Sequence, residues 1–169
     1  ASIYQIEPRA VAFPRSGAEA ASVIRAAIEA GIAVTPRGAG TGLAGGAVGD
    51  GLIVDLARHN RRIEGLDLER RSVRVGAGVV LDQLNDFLKP HGLCFGPDVA
   101  TSSRATLGGM IAASADSPLR HAYGSARDQL LGMEFVTGAG ISAKSGGRVV
   151  KNVTGYDMHQ LLSGSLCTL

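Results

Sequence analysis

A chain of 169 residues with 17 basic and 15 acidic side chains, formal charge +2, suffices for one domain or two small lobes sharing a core. At 45% hydrophobic and 19% charged it has the balance of a soluble globular protein and lacks the concentrated basic stripe of a nucleic-acid binder. No apolar stretch reaches membrane-spanning length and no secretory leader is visible; the first residue is not methionine, so the ends need not be natural ones.

In chain order, Ser16 with Glu19 three residues on predicts a capping box. The helix it opens carries Ala20, Val23, Ile24, Ala27 and Ile28 at helical spacing, and Gly31 fits its stop. A short β-branched run, Ile32 to Thr35, is bounded by Pro36 and predicts a strand. The segment 36–46 then reads PRGAGTGLAGG, and a second strand is expected over Leu52 to Leu56. Arg58 to Arg62, bracketed by Asp55 and Glu64, reads as a solvated turn and not as a phosphate patch.

Ser72 to Val75 predicts another strand, and Leu81, Leu84, Phe87 and Leu88 predict a helix over Val80–Leu88 ended by Pro90 and Gly92. The polar loop GPDVATSSRAT leads into a small-residue helix expected over Leu107–Ala115. Leu130 to Thr137 reads as a buried strand before a glycine-rich turn, and Arg148–Leu169 holds VVKNVTGYD and LLSGSLCTL. No repeat or low-complexity linker interrupts the chain. Cys94 and Cys167 make neither a disulfide framework nor a metal-ligand spacing, and are expected as buried free thiols in a cytoplasmic protein.

The five glycines between Gly38 and Gly46 permit positive φ and close approach of a ligand to the main chain. Successive amides in such a loop can form an anion nest. No Gly-Lys-Ser/Thr follows, so it is not a Walker loop. Gly40, Gly42 and Gly45 match GxGxxG, but a Rossmann site opens directly into a helix, and Gly46–Gly51 is a poor helix former followed by a strand. A nest for pyrophosphate, a ligand-free glycine-rich hairpin and an NAD-binding turn all stand at this point.

Taken together, PRGAGTGLAGG, GPDVATSSRATLGGMIA, YGSARDQLLGMEFV and KNVTGYDMHQLLSGSLCTL resemble, in order and spacing, the FAD-linked oxidases with the fold of vanillyl-alcohol oxidase and p-cresol methylhydroxylase. Within that family the likeness is to FAD-binding subunits of bacterial glycolate oxidase and to D-lactate dehydrogenases. The resemblance implies an α+β, two-lobed FAD-binding domain: residues 1–65 as a first lobe with the pyrophosphate loop, 66–169 as a second lobe, and the C-terminal substrate cap domain absent. It implies that Arg37, Gly38, Ala39, Gly40, Thr41, Gly42, Leu43, Gly45 and Gly46 wrap the FAD pyrophosphate. Pro97, Asp98, Ser102, Ser103, Thr106, Gly108 and Gly109 match a second FAD-contacting motif.

Thr106 can cap the following helix, whose N-terminus is expected to offer free amides and a partial positive charge, about 0.3–1 kcal/mol for an anion. Gly108 and Gly109 either admit the flavin ribityl chain or merely let two elements pack tightly. The resemblance places Tyr123 and Gly124 beside the flavin and Val136 near the adenine. Gly164, Ser165, Thr168 and Leu169 match the family's GS-x-GTLG, but Cys167 stands where that pattern has glycine, and cysteine tolerates positive φ poorly.

Oxidising a 2-hydroxy acid through a flavin needs a base for the hydroxyl proton and a cation for the carboxylate. In the resembled family those groups come largely from the cap domain. His121 is the one histidine worth weighing as a base, though a surface or structural role fits it better; His59 and His91 lie in turn-like contexts and His159 in a helix. Lys151 and Asn152 read as ties for the terminal segment, and no metal-ligand cluster is visible.

The function implied is the FAD-binding part of a 2-hydroxyacid oxidoreductase acting on glycolate or D-lactate, one member of a hetero-oligomer and inactive by itself. A non-catalytic assembly subunit and an NAD-binding domain are the alternatives. The FAD is expected to be noncovalent: the histidine that anchors it in some relatives aligns with Thr41, and no histidine or cysteine occurs between Pro36 and Gly46.

Overall fold

The structure, a computed structural model, describes residues 3–147 and 156–169. Lys151 and Asn152 therefore lie outside the described residues.

Helix α1 (Gly17–Glu29) starts as its cap chemistry dictates. The Glu19 amide donates to Ser16 Oγ at 3.2 Å, and the Glu19 carboxylate reaches back to the Arg15 amide at 2.8 Å, one residue earlier than in a standard capping box. At the far end Gly31 takes φ +64°; its amide donates to the Ile28 carbonyl and that of Ile32 to Ala27, a Schellman closure.

Strands β1 (Ala10–Ala12), β2 (Val34–Arg37) and β3 (Leu52–Asp55) form a parallel sheet in the order β1-β3-β2. The central β3 buries Ile53 and Val54 at 1% and 2% exposure. Strand β2 was expected to stop before Pro36 but runs through it to Arg37. As an edge strand it needs no outward amide there, the one sheet position where proline is tolerated. Because β2 and β3 are parallel, the chain must return the length of the sheet between them, and the glycine-rich segment makes that return. It passes close to the sheet: a Cβ on Gly51 would strike the Ala33 carbonyl, and one on Gly49 the Thr35 hydroxyl.

Strands β4 (Ile63–Asp67) and β5 (Ser72–Val75) pair antiparallel, with a register shift between Glu64 and Asp67. Helix α2 (Leu81–Leu88) follows, then a 3-10 turn over Lys89–His91 and Gly92 at φ +67°. Helix α3 (Leu107–Ala112) is shorter than the expected 107–115, because Ser114 turns to φ +46°. The core gathers Val79, Leu81, Leu84, Leu88, Ala105, Leu107, Met110 and Ala126, with Ile63, Leu66, Val73 and Val75 packed on it. Each fully buried leucine contributes about 1.5–3 kcal/mol. Residue 65 falls inside β4, whose pairing with β5 joins 63–67 to this core.

After α4 (Arg120–Tyr123), β6 (Gly132–Val136) and β7 (Ser142–Gly146) form a second antiparallel hairpin, and α5 (Met158–Leu162) packs on β7. This hairpin lies against α1, where Arg25 Nη1 donates to the Gly140 carbonyl at 2.7 Å. One parallel sheet with two antiparallel hairpins and surrounding helices is an α+β arrangement. Strands β1, β4 and β7 escape the sequence pattern, being short and without a fully buried residue. Cys94 and Cys167 are exposed, not buried as expected. The Arg58–Arg62 turn is partly anchored, with the Arg58 guanidinium 4.8 Å from the centre of the Phe13 ring. No described helix is long and apolar enough to cross a membrane.

Candidate flavin site

Strands β2 and β3 end side by side at Arg37 and Asp55, which face each other in register. Beyond Arg37 the chain leaves the sheet and stops making ladder bonds. Among the described residues, no backbone amide from Gly38 to Ala47 makes a well-formed hydrogen bond to a protein acceptor, and only a loose turn brings the Gly45 amide towards the Gly42 carbonyl; the next well-formed bond is from Val48 to the Gly45 carbonyl at 3.2 Å. None of these residues is buried, and Ala39, Gly42, Leu43, Ala44 and Gly46 are exposed, so the amides without protein partners are open to water or to a ligand. Arg37, Gly38, Ala39, Gly40, Ala47, Val48 and Asp55 border a cleft of about 340 Å³ at this place.

The loop glycines divide by role. Gly40 and Gly45 take φ +71° and +75°, where side chains are strained. Gly45 also lies under the Tyr4 ring, and an added Cβ would come 3.0 Å from it. Around Gly42 and Gly46 a Cβ would meet nothing within 4 Å, so nothing inside the protein requires glycine there. Thr41 is half-buried, and Leu43 projects with 77% exposure.

Gly38 links the loop to the second motif. A Cβ there would collide with Thr106 Oγ1 and lie 3.8 Å from the Gly109 amide. Thr106 caps α3 as expected, its Oγ1 accepting from Gly109 N at 3.4 Å. The expected free amides of α3 do not exist, however. Leu107 donates to the Val79 carbonyl at 2.8 Å, Gly108 to Ala77 at 2.9 Å, and Met110 to Thr106 at 2.9 Å. Gly108 is glycine for packing: its Cβ would lie 2.7 Å from that of Ala77 and 2.9 Å from the Ala77 oxygen. Gly109 is exposed.

Around the rest of the motif, Pro97 is fully buried and the Asp98 amide donates to Ser117 Oγ at 3.1 Å. Ser102 is held in a turn, its carbonyl accepting from Asp82 at 3.2 Å, beside exposed Ser103. Tyr123, 48% exposed, lies over Gly96, where a Cβ would come 2.5 Å from that of Tyr123. Gly124 at φ +74° turns the chain past Asp128, which accepts from the Ser125 amide at 2.8 Å and hydroxyl at 2.7 Å. Those two bonds hold the Asp128 carboxyl below its ordinary range. Val136 sits half-buried on β6 opposite Ser142.

His121 is exposed on α4. His159, by contrast, is 7% exposed: its Nδ1 lies 3.0 Å from Ser145 Oγ, which also accepts the His159 amide at 3.0 Å. It joins α5 to β7, a role the sequence signals only through its place in a helical run. At the chain's last turn the amides of Gly164 and Leu166 donate to the carbonyls of Ile111 and Ala112 at 2.9 Å, closing the C-terminal end of α3. Cys167, at the family's glycine position, is held at φ +61°. No group of three metal-ligating side chains occurs among the described residues.

The FAD binding domain family model matches residues 8–158. The chain is 50% identical to D-2-hydroxyglutarate dehydrogenase of Pantoea ananatis over 138 residues, covering 80% of this chain and 14% of that protein. It is 37% identical to D-lactate dehydrogenase of Archaeoglobus fulgidus over 97% of this chain and 38% of the relative. With the glycolate oxidase subunit GlcD of Bacillus subtilis, identity is 33% over 98% and 36%. The chain thus spans well under half the length of the relatives it matches. In fold it is similar to an alkyldihydroxyacetonephosphate synthase, with TM-score 0.78, 19% identity and coverage of 92% of this chain and 28% of the other. It is similar also to 6-hydroxy-D-nicotine oxidase of Arthrobacter nicotinovorans, with TM-score 0.74, 25% identity and coverage of 82% and 30%. The chain, whose glycine loop meets the start of α3 at Gly38, belongs to the FAD binding domain family.

Proposed function

We propose that this chain is the flavin-holding part of an oxidoreductase that oxidises a small 2-hydroxy acid. The observation that carries the reading is the run of amides from Gly38 to Ala47 without well-formed protein acceptors, which can serve a pyrophosphate such as that of FAD. Gly42 and Gly46 leave room for the phosphates, while Gly38 brings the loop against Thr106 and Gly109. Pro97, Asp98, Ser102, Ser103, Gly109, Tyr123 and Gly124 border the flavin on this reading, and Val136 the adenine. Thr106 and Gly108 serve by holding α3 in place. Bound FAD supplies the hydride acceptor; the chain's own contribution is to fix and shield it.

The relatives named for D-2-hydroxyglutarate, D-lactate and glycolate support a 2-hydroxy acid as substrate. On this reading the substrate-binding groups lie outside these residues, and the complete enzyme is a hetero-oligomer with partner subunits. Two lobes, residues 1–65 and 66–169, meet at the cofactor on the same reading. Two free, exposed thiols fit a reducing, cytoplasmic setting.

Titration with FAD, followed by flavin fluorescence, tests the reading. Saturable binding of one FAD per chain is expected, and acid precipitation should release all the yellow colour into the supernatant. A yellow pellet would contradict noncovalent attachment, and absence of binding would contradict the cofactor site. Dye reduction with D-2-hydroxyglutarate, D-lactate or glycolate is expected from a full-length enzyme carrying this segment and not from these residues alone. Hydride transfer needs the substrate held within about 3–3.5 Å of the flavin, and such positioning is worth up to about 7–11 kcal/mol.

A further inference from the structure

We infer that Arg37 acts as a charge shield, neutralising Asp55 so that an anionic phosphate can enter the cleft beside the glycine loop. This rests on the proposed role of the loop amides. Arg37 Nε lies 3.6 Å from Asp55 Oδ2, and the two side chains are 30% and 16% exposed. Both partners of every other ion pair among the described residues are 47% exposed or more. Those exposed pairs do little. The Arg37–Asp55 pair is instead built into the wall of the cleft with Gly38, Gly40, Ala47 and Val48.

Asp55 cannot turn away from the cleft without loss. Its Oδ1 accepts the Ala57 amide at 2.9 Å, and its backbone is fixed in the central strand β3. A carboxylate held there would repel a pyrophosphate across a half-buried space where water screens poorly. The guanidinium opposite removes that repulsion. Its stem runs beside the loop, with Arg37 Cδ 3.9 Å from the Cβ position of Gly40.

The test compares FAD affinity in wild type, R37M, D55N and the R37M/D55N double variant, with G42V alongside. R37M is expected to bind FAD about tenfold more weakly, equivalent to about 1.4 kcal/mol. The double variant should bind at least about threefold more tightly than R37M, because the uncompensated acid is gone. D55N, whose amide oxygen can still accept from Ala57, should bind no worse than about threefold below wild type. Equal affinity of R37M and the double variant would make Arg37 a direct phosphate ligand and overturn the shield. So would an R37M affinity within about threefold of wild type. Should R37M fail to fold, D55N and the charge-retaining R37K decide, and a loss above about threefold in either overturns the inference. Unchanged affinity in G42V sinks the loop reading itself. A loss in G42V without recovery in the double variant sinks only the shield.

Discussion

The glycine loop and the start of α3 carry the same sequence signal, glycines whose main-chain amides could meet an anion, yet they are built oppositely. From Gly38 to Ala47 the amides lack well-formed protein partners, and Gly42 and Gly46 have open space around them. At α3 every early amide is taken: Leu107 by Val79, Gly108 by Ala77, Gly109 by Thr106 Oγ1 and Met110 by the Thr106 carbonyl. A helix N-terminus attracts anions through unsatisfied amides and its dipole, so one whose amides are all satisfied keeps only the weaker, longer-range part. On the proposed reading the loop is the binding element, and α3 is the wall that Gly38 leans on.

Substitutions at glycine should separate the two most sharply. Gly108→Val drives side-chain atoms into the Ala77 backbone and should destabilise the protein by about 1–3 kcal/mol, read as a lower chemical-denaturation midpoint. Gly42→Val meets no protein atom and should leave stability within about 0.5 kcal/mol while abolishing FAD binding. If Gly108→Val were harmless to the fold and blocked FAD instead, the two roles would be reversed. Thr106→Ala removes the cap and the hydroxyl that meets Gly38, and should cost about 1 kcal/mol of stability, with Thr106→Ser losing less. Cys167→Gly should act in the other direction. It relieves a left-handed residue in the turn that closes α3 and should stabilise by about 1 kcal/mol or less, net of the added freedom of glycine when unfolded. A destabilised Cys167→Gly would mean the thiol makes a contact that outweighs its backbone strain.

Legibility followed the range of the interactions. The Ser16 cap, the Gly31 stop and the Thr106 cap are decided within a few residues and could be read from the sequence. So could the glycine loop as a conformation, because glycine marks the positive φ that Gly40 and Gly45 adopt. What the sequence hid was set by distant partners. The acceptors for Leu107 and Gly108 are the carbonyls of Val79 and Ala77, far back in the chain, and nothing near α3 announces them. Pro36 was read as a strand end, since only the sheet order shows that β2 is an edge. Asp55 passed as a bracket for a basic turn because its partner Arg37 comes from the neighbouring strand. The exposure of Cys94 and Cys167 likewise depends on how whole elements dock, which residue type alone predicts wrongly.

The division between loop and wall is tested most directly by amide NMR on the isotopically labelled protein as FAD is added. New hydrogen bonds to phosphate oxygens should move the amide protons of Gly38 to Ala47 strongly downfield and slow their exchange with solvent. The Leu107 and Gly108 amides, already donating to Val79 and Ala77, should shift little. Large shifts at Leu107 and Gly108 with none between Gly38 and Ala47 would contradict the account, and would place the cofactor's phosphates on α3.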